Sequence, residues 1–275
     1  MTNVTERIPD LQALKVRLRE IWMAGDFGIL AKHSESHAND FIARRAVKPG
    51  MRVLDVACGT GNLAIPAAKA GADVTGVDIA TNLIEQARSR ALREGVNVQF
   101  DEGDAEELPY PDASFDLVVS MYGAMFAPRA ERAAAELVRV CKPGGQIAMA
   151  NWTPCGFFGQ MFKVIDAHVS PPPGVSPSVL WGDEATLRER LCDGIAELRL
   201  TPIRVSLKYP FPVSETIEFY RTYSGRMQQA FAVLPKEAHP ALRRDLENLW
   251  AQHNRATDGT TDVEVEYLEV AATRA

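Results

Sequence analysis

The spacing of apolar positions changes character near residue 49. Before it, Leu11, Leu14, Leu18, Ile21 and Trp22 recur every three or four residues, the period that places them on one face of a helix. Residues 2–48 therefore read as helical, with a break at Gly25-Asp26-Phe27-Gly28 and a second helix over Ser34–Ala46. Pro49-Gly50 then turns the chain into a continuous apolar run, Val53–Ala57, with the length of a buried strand. The glycine turn Gly59-Thr60-Gly61 and an Ala-rich helical pattern to Lys69 follow. Four more short strands are predicted at Asp73–Asp78, Val96–Phe100, Phe115–Ser120 and Ile147–Asn151. Between them lie helical stretches, one capped by Thr81 or Asn82 and running to Arg93, the other from Arg129 to Val140. Strands alternating with helices predict a parallel sheet covered on both faces.

Beyond Trp152 the pattern loosens. Residues 153–182 are rich in Phe, Met, Pro and Gly, and Asp183 is placed to cap a helix ending near Cys192. Leu198–Leu207 reads as a sixth strand and Val263–Ala272 as the last, with two helices broken at Pro235 across residues 213–255. The expected organisation is one composite domain. It comprises a helical cap (1–48), a ligand-binding core (49–152), a lid insertion (153–196) and C-terminal strands with a helical insertion (197–275).

Composition narrows the function. A net charge of −6 over 275 residues disfavours a nucleic-acid partner. Cys58, Cys141, Cys155 and Cys192 form no C-x-x-C pair, which disfavours a zinc site or a disulfide framework and fits a reducing cytosol. The N-terminus carries no apolar signal segment, and no run reaches the roughly 18 apolar residues of a membrane span. The expectation is a soluble, cytoplasmic protein with no bound metal.

The chemistry concentrates at the first strand and its turn. Gly59 and Gly61 permit positive φ and close approach of a ligand to the backbone. Gly59-Thr60-Gly61-Asn62-Leu63-Ala64 also fits the dinucleotide pattern G-x-G-x-x-A, so the glycines leave a nicotinamide oxidoreductase open. Asp55, at the strand end beside the turn, repels a pyrophosphate and attracts an ammonium. S-adenosylmethionine carries an α-amino group and no phosphate, and Asp55 tips the reading towards it. Asp78 closes the second strand roughly 20 residues after the turn, where an acid accepts hydrogen bonds from ribose hydroxyls.

With these motifs in order, Asp55-Val56-Ala57-Cys58-Gly59-Thr60-Gly61, Asp78, Gly103-Asp104-Ala105 with Leu108-Pro109, and Lys142-Pro143-Gly144-Gly145, the chain resembles the class I S-adenosylmethionine-dependent methyltransferases. It is most similar to the bacterial group that includes ubiquinone and menaquinone C-methyltransferases. The resemblance spans about residues 45–152. It implies a Rossmann-like, doubly wound, mostly parallel α/β sheet of seven strands, the last antiparallel, under a helical lid. It also implies cofactor contacts from Asp55, Ala57, Cys58, Gly59 and Gly61, from Asp78 and Ile79 at the ribose, from Asp104 and Ala105 at the adenine, and from Met121. Cys58 stands where the fuller family motif has a glycine.

The acceptor is expected among Tyr122, Met125 and Trp152 after the strand ends, Phe27 in the helical break and Trp181 in the lid segment. Such a lining suits a small apolar or aromatic molecule, with a small thiol as the rival. A macromolecule-modifying enzyme is disfavoured. Ser120-Met121-Tyr122-Gly123 carries neither the Asn/Asp-Pro-Pro-aromatic motif of amino-group methylation nor the Pro-Cys of cytosine C5 enzymes. A non-catalytic S-adenosylmethionine-binding regulator stays open. His33 and His37, one helical turn apart, are candidate general bases, since imidazole titrates near neutral pH.

Overall fold

Alternating strands and helices assemble into one seven-stranded sheet in the computed structural model, which describes residues 10–275. The helical reading of residues 2–9 lies outside the described residues. The strands are β1 (Arg52–Val56), β2 (Asp73–Asp78), β3 (Gln99–Glu102), β4 (Phe115–Met121), β5 (Cys141–Trp152), β6 (Ile195–Tyr209) and β7 (Thr261–Arg274). Their spatial order is β3-β2-β1-β4-β5-β7-β6, with β7 antiparallel to both neighbours and the other pairings parallel. This is the doubly wound sheet expected from the sequence. Val53, Leu54 and Val56 of β1 are fully buried because the strand is covered on both faces.

The topology fixes where a ligand can bind. From β1 the chain winds outward through β2 to β3, then returns to the other side of β1 as β4. The loops leaving β1 and β4 therefore diverge, opening a crevice at the carboxyl ends of the strands. Asp55 lies in register with Gly76 on one side and Val119 on the other, within that switch point.

The helices are α1 (Leu11–Ala24), α2 (Phe27–Ala31), α3 (Glu35–Ala43), α4 (Ala64–Lys69), α5 (Thr81–Arg93) and α6 (Ala130–Val140). After β5 come α7 (Phe157–His168), α8 (Glu184–Arg190), α9 (Val213–Tyr223), α10 (Gly225–Val233) and α11 (His239–His253). Helices α4, α5 and α6 pack on the parallel strands, whereas α1 meets α10, α2 meets α9 and α7 meets α11. The α1–α10 contact is made backbone to backbone. A Cβ on Gly225 would lie 1.7 Å from the Ile21 carbonyl oxygen, and one on Gly25 would lie 2.2 Å from that of Tyr223. Among the described residues no helix is long and apolar enough to cross a membrane.

Several boundaries differ from the sequence reading, each for a local reason. β3 starts at Gln99, because the Val96 amide still donates to the Ala91 carbonyl in the turn that ends α5. β5 starts at Cys141 and takes Lys142-Pro143-Gly144-Gly145 into an irregular pairing with β4. Neither Thr81 nor Asn82 caps α5. The residue before the helix is Ala80, whose amide donates to Asp78 Oδ1. Residues 213–253 form three α-helices, because Ser224-Gly225 breaks the chain before Pro235 does.

Candidate active site

The turn after β1 is built from left-handed residues. Ala57, Gly59 and Gly61 have φ of 55°, 52° and 81°. A Cβ on Gly59 would meet no protein atom within 4 Å, so the glycine leaves the space above the turn open. Gly61 instead serves packing, since a Cβ there would fall 3.2 Å from the Phe100 ring. At the end of β4, Tyr122 is also left-handed, with φ of 54°. Non-glycine residues in that region store strain of order 1–3 kcal/mol and need surrounding structure to hold them. Here the two strained loops lock together: a Cβ on Gly123 would sit 2.6 Å from the Ala57 carbonyl oxygen.

Two carboxylates are buried at this junction. Asp55 is 2% exposed and accepts from the Ala64 amide at 3.0 Å. Asp78 is 7% exposed and accepts from the amides of Gly59 and Ala80, each at 2.8 Å. Neither forms an ion pair with a described residue. Burial pushes the Asp55 carboxyl well above the usual range, and the charge of Asp78 adds to the effect. Burial also raises Asp78, against the lowering effect of its backbone donors. Carboxylates desolvated without a cation favour a ligand that brings positive charge and hydrogen-bond donors.

A first cavity of about 1100 Å³, counting its mouth, lies over these groups. Asp55, Ala57, Cys58, Gly59, Asp78, Ile79, Asp104, Ala105 and Met121 all line it. Helix α1 forms the opposite wall with Lys15, Leu18 and Trp22. The Lys15 ammonium pairs with Asp104 at 2.5 Å and with the fully buried Glu106 at 2.7 Å, so α1 is clamped to the loop after β3. Cys58 lies between the acids, and burial with those flanking charges pushes its thiol well up, leaving it inert.

A second cavity of about 760 Å³ adjoins the first. Trp22, Phe27, Ala31, Ser34, Tyr122 and Phe126 line both. Its own wall adds Trp152, Phe158, Met161 and Phe162, with Tyr209, Tyr220 and Arg226. Tyr122 stacks on Trp152 with centroids 3.6 Å apart and planes 9° from parallel. The Tyr209 and Tyr220 hydroxyls satisfy each other at 2.7 Å. Burial raises both phenols, so neither is a base near neutral pH.

Five sequence-selected residues lie outside both cavities, Gly61 of the turn among them. Met125 is 1% exposed in the core, and Trp181 is equally buried beneath the Arg190 guanidinium. His33 and His37, the expected general bases, are the remaining two. His33 donates through Nδ1 to the Lys208 carbonyl at 2.9 Å, and His37 through Nε2 to the Ser206 carbonyl at 3.1 Å. Both imidazoles tie the N-terminal helices to β6. Burial lowers the pKa of His37, whose other nitrogen is buried without a partner among the described residues. Conversely, the sequence reading missed Lys15 and Arg226. Nothing in their local sequence separates them from solvated helix charges, and only the packing of α1 and α10 over the crevice brings them to it.

The comparisons agree with this geometry. The family described as "Methyltransferase domain" matches residues 53–145. The uncharacterized protein Rv1405c of Mycobacterium tuberculosis is 37% identical over 265 residues, covering 95% of each chain. Demethylmenaquinone methyltransferase of Deinococcus radiodurans is 38% identical over 124 residues, covering 44% of this chain and 52% of that one. The YcgJ protein of Bacillus subtilis shares the fold with a TM-score of 0.60 at 22% identity, over 87% of this chain and 98% of that one. With a glycine turn, two cation-seeking carboxylates and an aromatic cavity at one topological switch point, the chain belongs to the class I S-adenosylmethionine-dependent methyltransferases.

Proposed function

We propose that the enzyme methylates a small apolar or aromatic molecule held in the second cavity. The observation that carries this reading is the shared wall: six side chains line both cavities, and most of the remaining lining of the second is aromatic or aliphatic. When bound, S-adenosylmethionine would supply a sulfonium methyl whose carbon bonds to the acceptor's nucleophile as the carbon–sulfur bond breaks and S-adenosylhomocysteine leaves. Asp55 would accept from its ammonium and Asp78 from its ribose hydroxyls, while the open backbone at Gly59 admits the methionyl end. Asp104 would meet the adenine amine with its lone pairs not taken by Lys15 and the Glu106 amide. The chain's contribution to the chemistry is alignment and exclusion of water. Trp22, Phe27 and Phe126 close the junction, and the stacked Tyr122–Trp152 pair offers a flat face to the acceptor.

Because neither histidine reaches a cavity, the acceptor would ionise without an imidazole base. A small thiol fits that condition as well as an acidic phenol or quinol. The four cysteines, none in a disulfide, support work in a reducing compartment. The decisive test is an acceptor screen with S-adenosylmethionine over phenols, quinols, amines and thiols, read as S-adenosylhomocysteine release. Turnover on aromatic hydroxyls or carbon nucleophiles is expected. Turnover confined to thiols or hydrophilic amines would replace the proposed acceptor, and tight S-adenosylmethionine binding with no turnover would favour a regulator.

A further inference from the structure

Arg226 stands out in the second cavity: among the described residues it is the only charged side chain of a lining that is aromatic and aliphatic apart from Ser34 and Ser224. It belongs to the part of the wall not shared with the first cavity. Its guanidinium lies 4.1 Å from the centroid of the Phe162 ring, and Nη2 donates to Asp166 Oδ1 at 3.0 Å. Nε and Nη1 make no hydrogen bond to any described residue. The Arg226 side chain is 31% exposed, so this partly hydrated cation keeps donors that no described residue satisfies at the wall of an apolar chamber. It also sits in the first turn of α10, where the helix field favours negative charge.

We propose that Arg226 is a specificity-determining residue that selects an aromatic acceptor bearing a carboxylate. This deepens the proposed function and rests on it. The planar guanidinium matches a carboxylate bidentately, and Phe162 under its face fixes its plane. Charge decides against a phosphate group. A carboxylate adds one negative charge to the Arg226–Asp166 pair, whereas a phosphate dianion adds two and leaves the larger uncompensated charge at the chamber wall. Asp166 is the positioning partner: it holds the guanidinium at the wall from α7 and uses one nitrogen. Burial lowers the Arg226 pKa against the raising effect of Asp166.

The test uses the full chain saturated with S-adenosylhomocysteine and two probes of equal shape, 2-naphthoate and 2-naphthamide, titrated by calorimetry. Wild type is expected to bind naphthoate about ten-fold or more tighter than naphthamide, the scale of a charge-assisted bond. Arg226→Gln should abolish that preference while keeping naphthamide binding and S-adenosylhomocysteine affinity. Arg226→Lys should retain part of it. Asp166→Asn should keep naphthoate binding, because it leaves the guanidinium in place. Equal affinity for both probes in wild type, or an unchanged preference in Arg226→Gln, would overturn the anion assignment while leaving the aromatic pocket intact. Binding of neither probe would remove the aromatic pocket and this proposal together.

Discussion

At the scale of single residues, the site trades stability for binding. Asp55 is buried without a cationic partner among the described residues, and its carboxyl is held well above its ordinary value of 3.8 by desolvation and by Asp78. A carboxyl with a raised folded-state pKa binds more protons folded than unfolded, so its contribution to stability falls as pH rises from 3.8 through the raised value. Asp55→Asn removes the buried charge and can keep an oxygen facing the Ala64 amide. The variant is therefore expected to melt at or above the wild-type temperature near pH 7 without ligand, yet to bind S-adenosylmethionine about ten-fold or more weakly. Thermal melts over pH 4–8 combined with calorimetry check both halves. A lower melting temperature with unchanged affinity would show that the carboxylate is structural. Asp55 and Asp78 were legible as candidate ligand contacts from their places beside the turn, and both line the first cavity. Lys15 was not, because its role depends on α1 folding back across the crevice.

Among the elements, α1 and α10 carry the coupling between the two cavities. Trp22 of α1 lines both, Arg226 of α10 lines the second, and the helices touch through Gly25 and Gly225 without intervening side chains. Gly225→Ala would place a methyl group 1.7 Å from the Ile21 carbonyl oxygen, and backbone atoms cannot rotate away as a side chain does. Separation of the helices should cost about 1–3 kcal/mol, as overpacking does, and weaken binding in both cavities. Denaturant melts and S-adenosylhomocysteine titration of the variant measure the two effects; wild-type stability would mean that the helices have room to shift. Sequence periodicity identified α1 by its apolar stripe. It missed the break between α9 and α10, since Ser224-Gly225 is a weak stop whose glycine is required by a contact two hundred residues away in the chain.

For the whole molecule, the same contacts predict how ligand binding spreads. Lys15 clamps α1 to the loop after β3, the imidazoles of His33 and His37 tie the segment after α2 to β6, and Gly225 joins α10 to α1. Occupation of the first cavity by S-adenosylhomocysteine should therefore slow amide hydrogen exchange in α10 as well as in α1, although α10 does not line that cavity. Protection limited to α1 and the strand ends would show that the helices open independently.

The sequence by itself determined the doubly wound sheet and the placing of the candidate cofactor acids and glycines at its carboxyl edge. Those follow from short-range facts: apolar runs of strand length, glycines at turns, and acids at strand ends that a parallel topology must bring to one edge. Tertiary structure decided the acceptor half. Met125 and Trp181 carry the same apolar signal as Tyr122 and Trp152, but packing turns the first two into the core and leaves the second two at a cavity. His33 and His37 have the chemistry of a base, yet β6 captures both rings through its carbonyls. Arg226 looks like any surface charge on a helix until α7 and α10 close an aromatic chamber around it. Burial and partnership are properties of elements distant in sequence, and no local pattern encodes them.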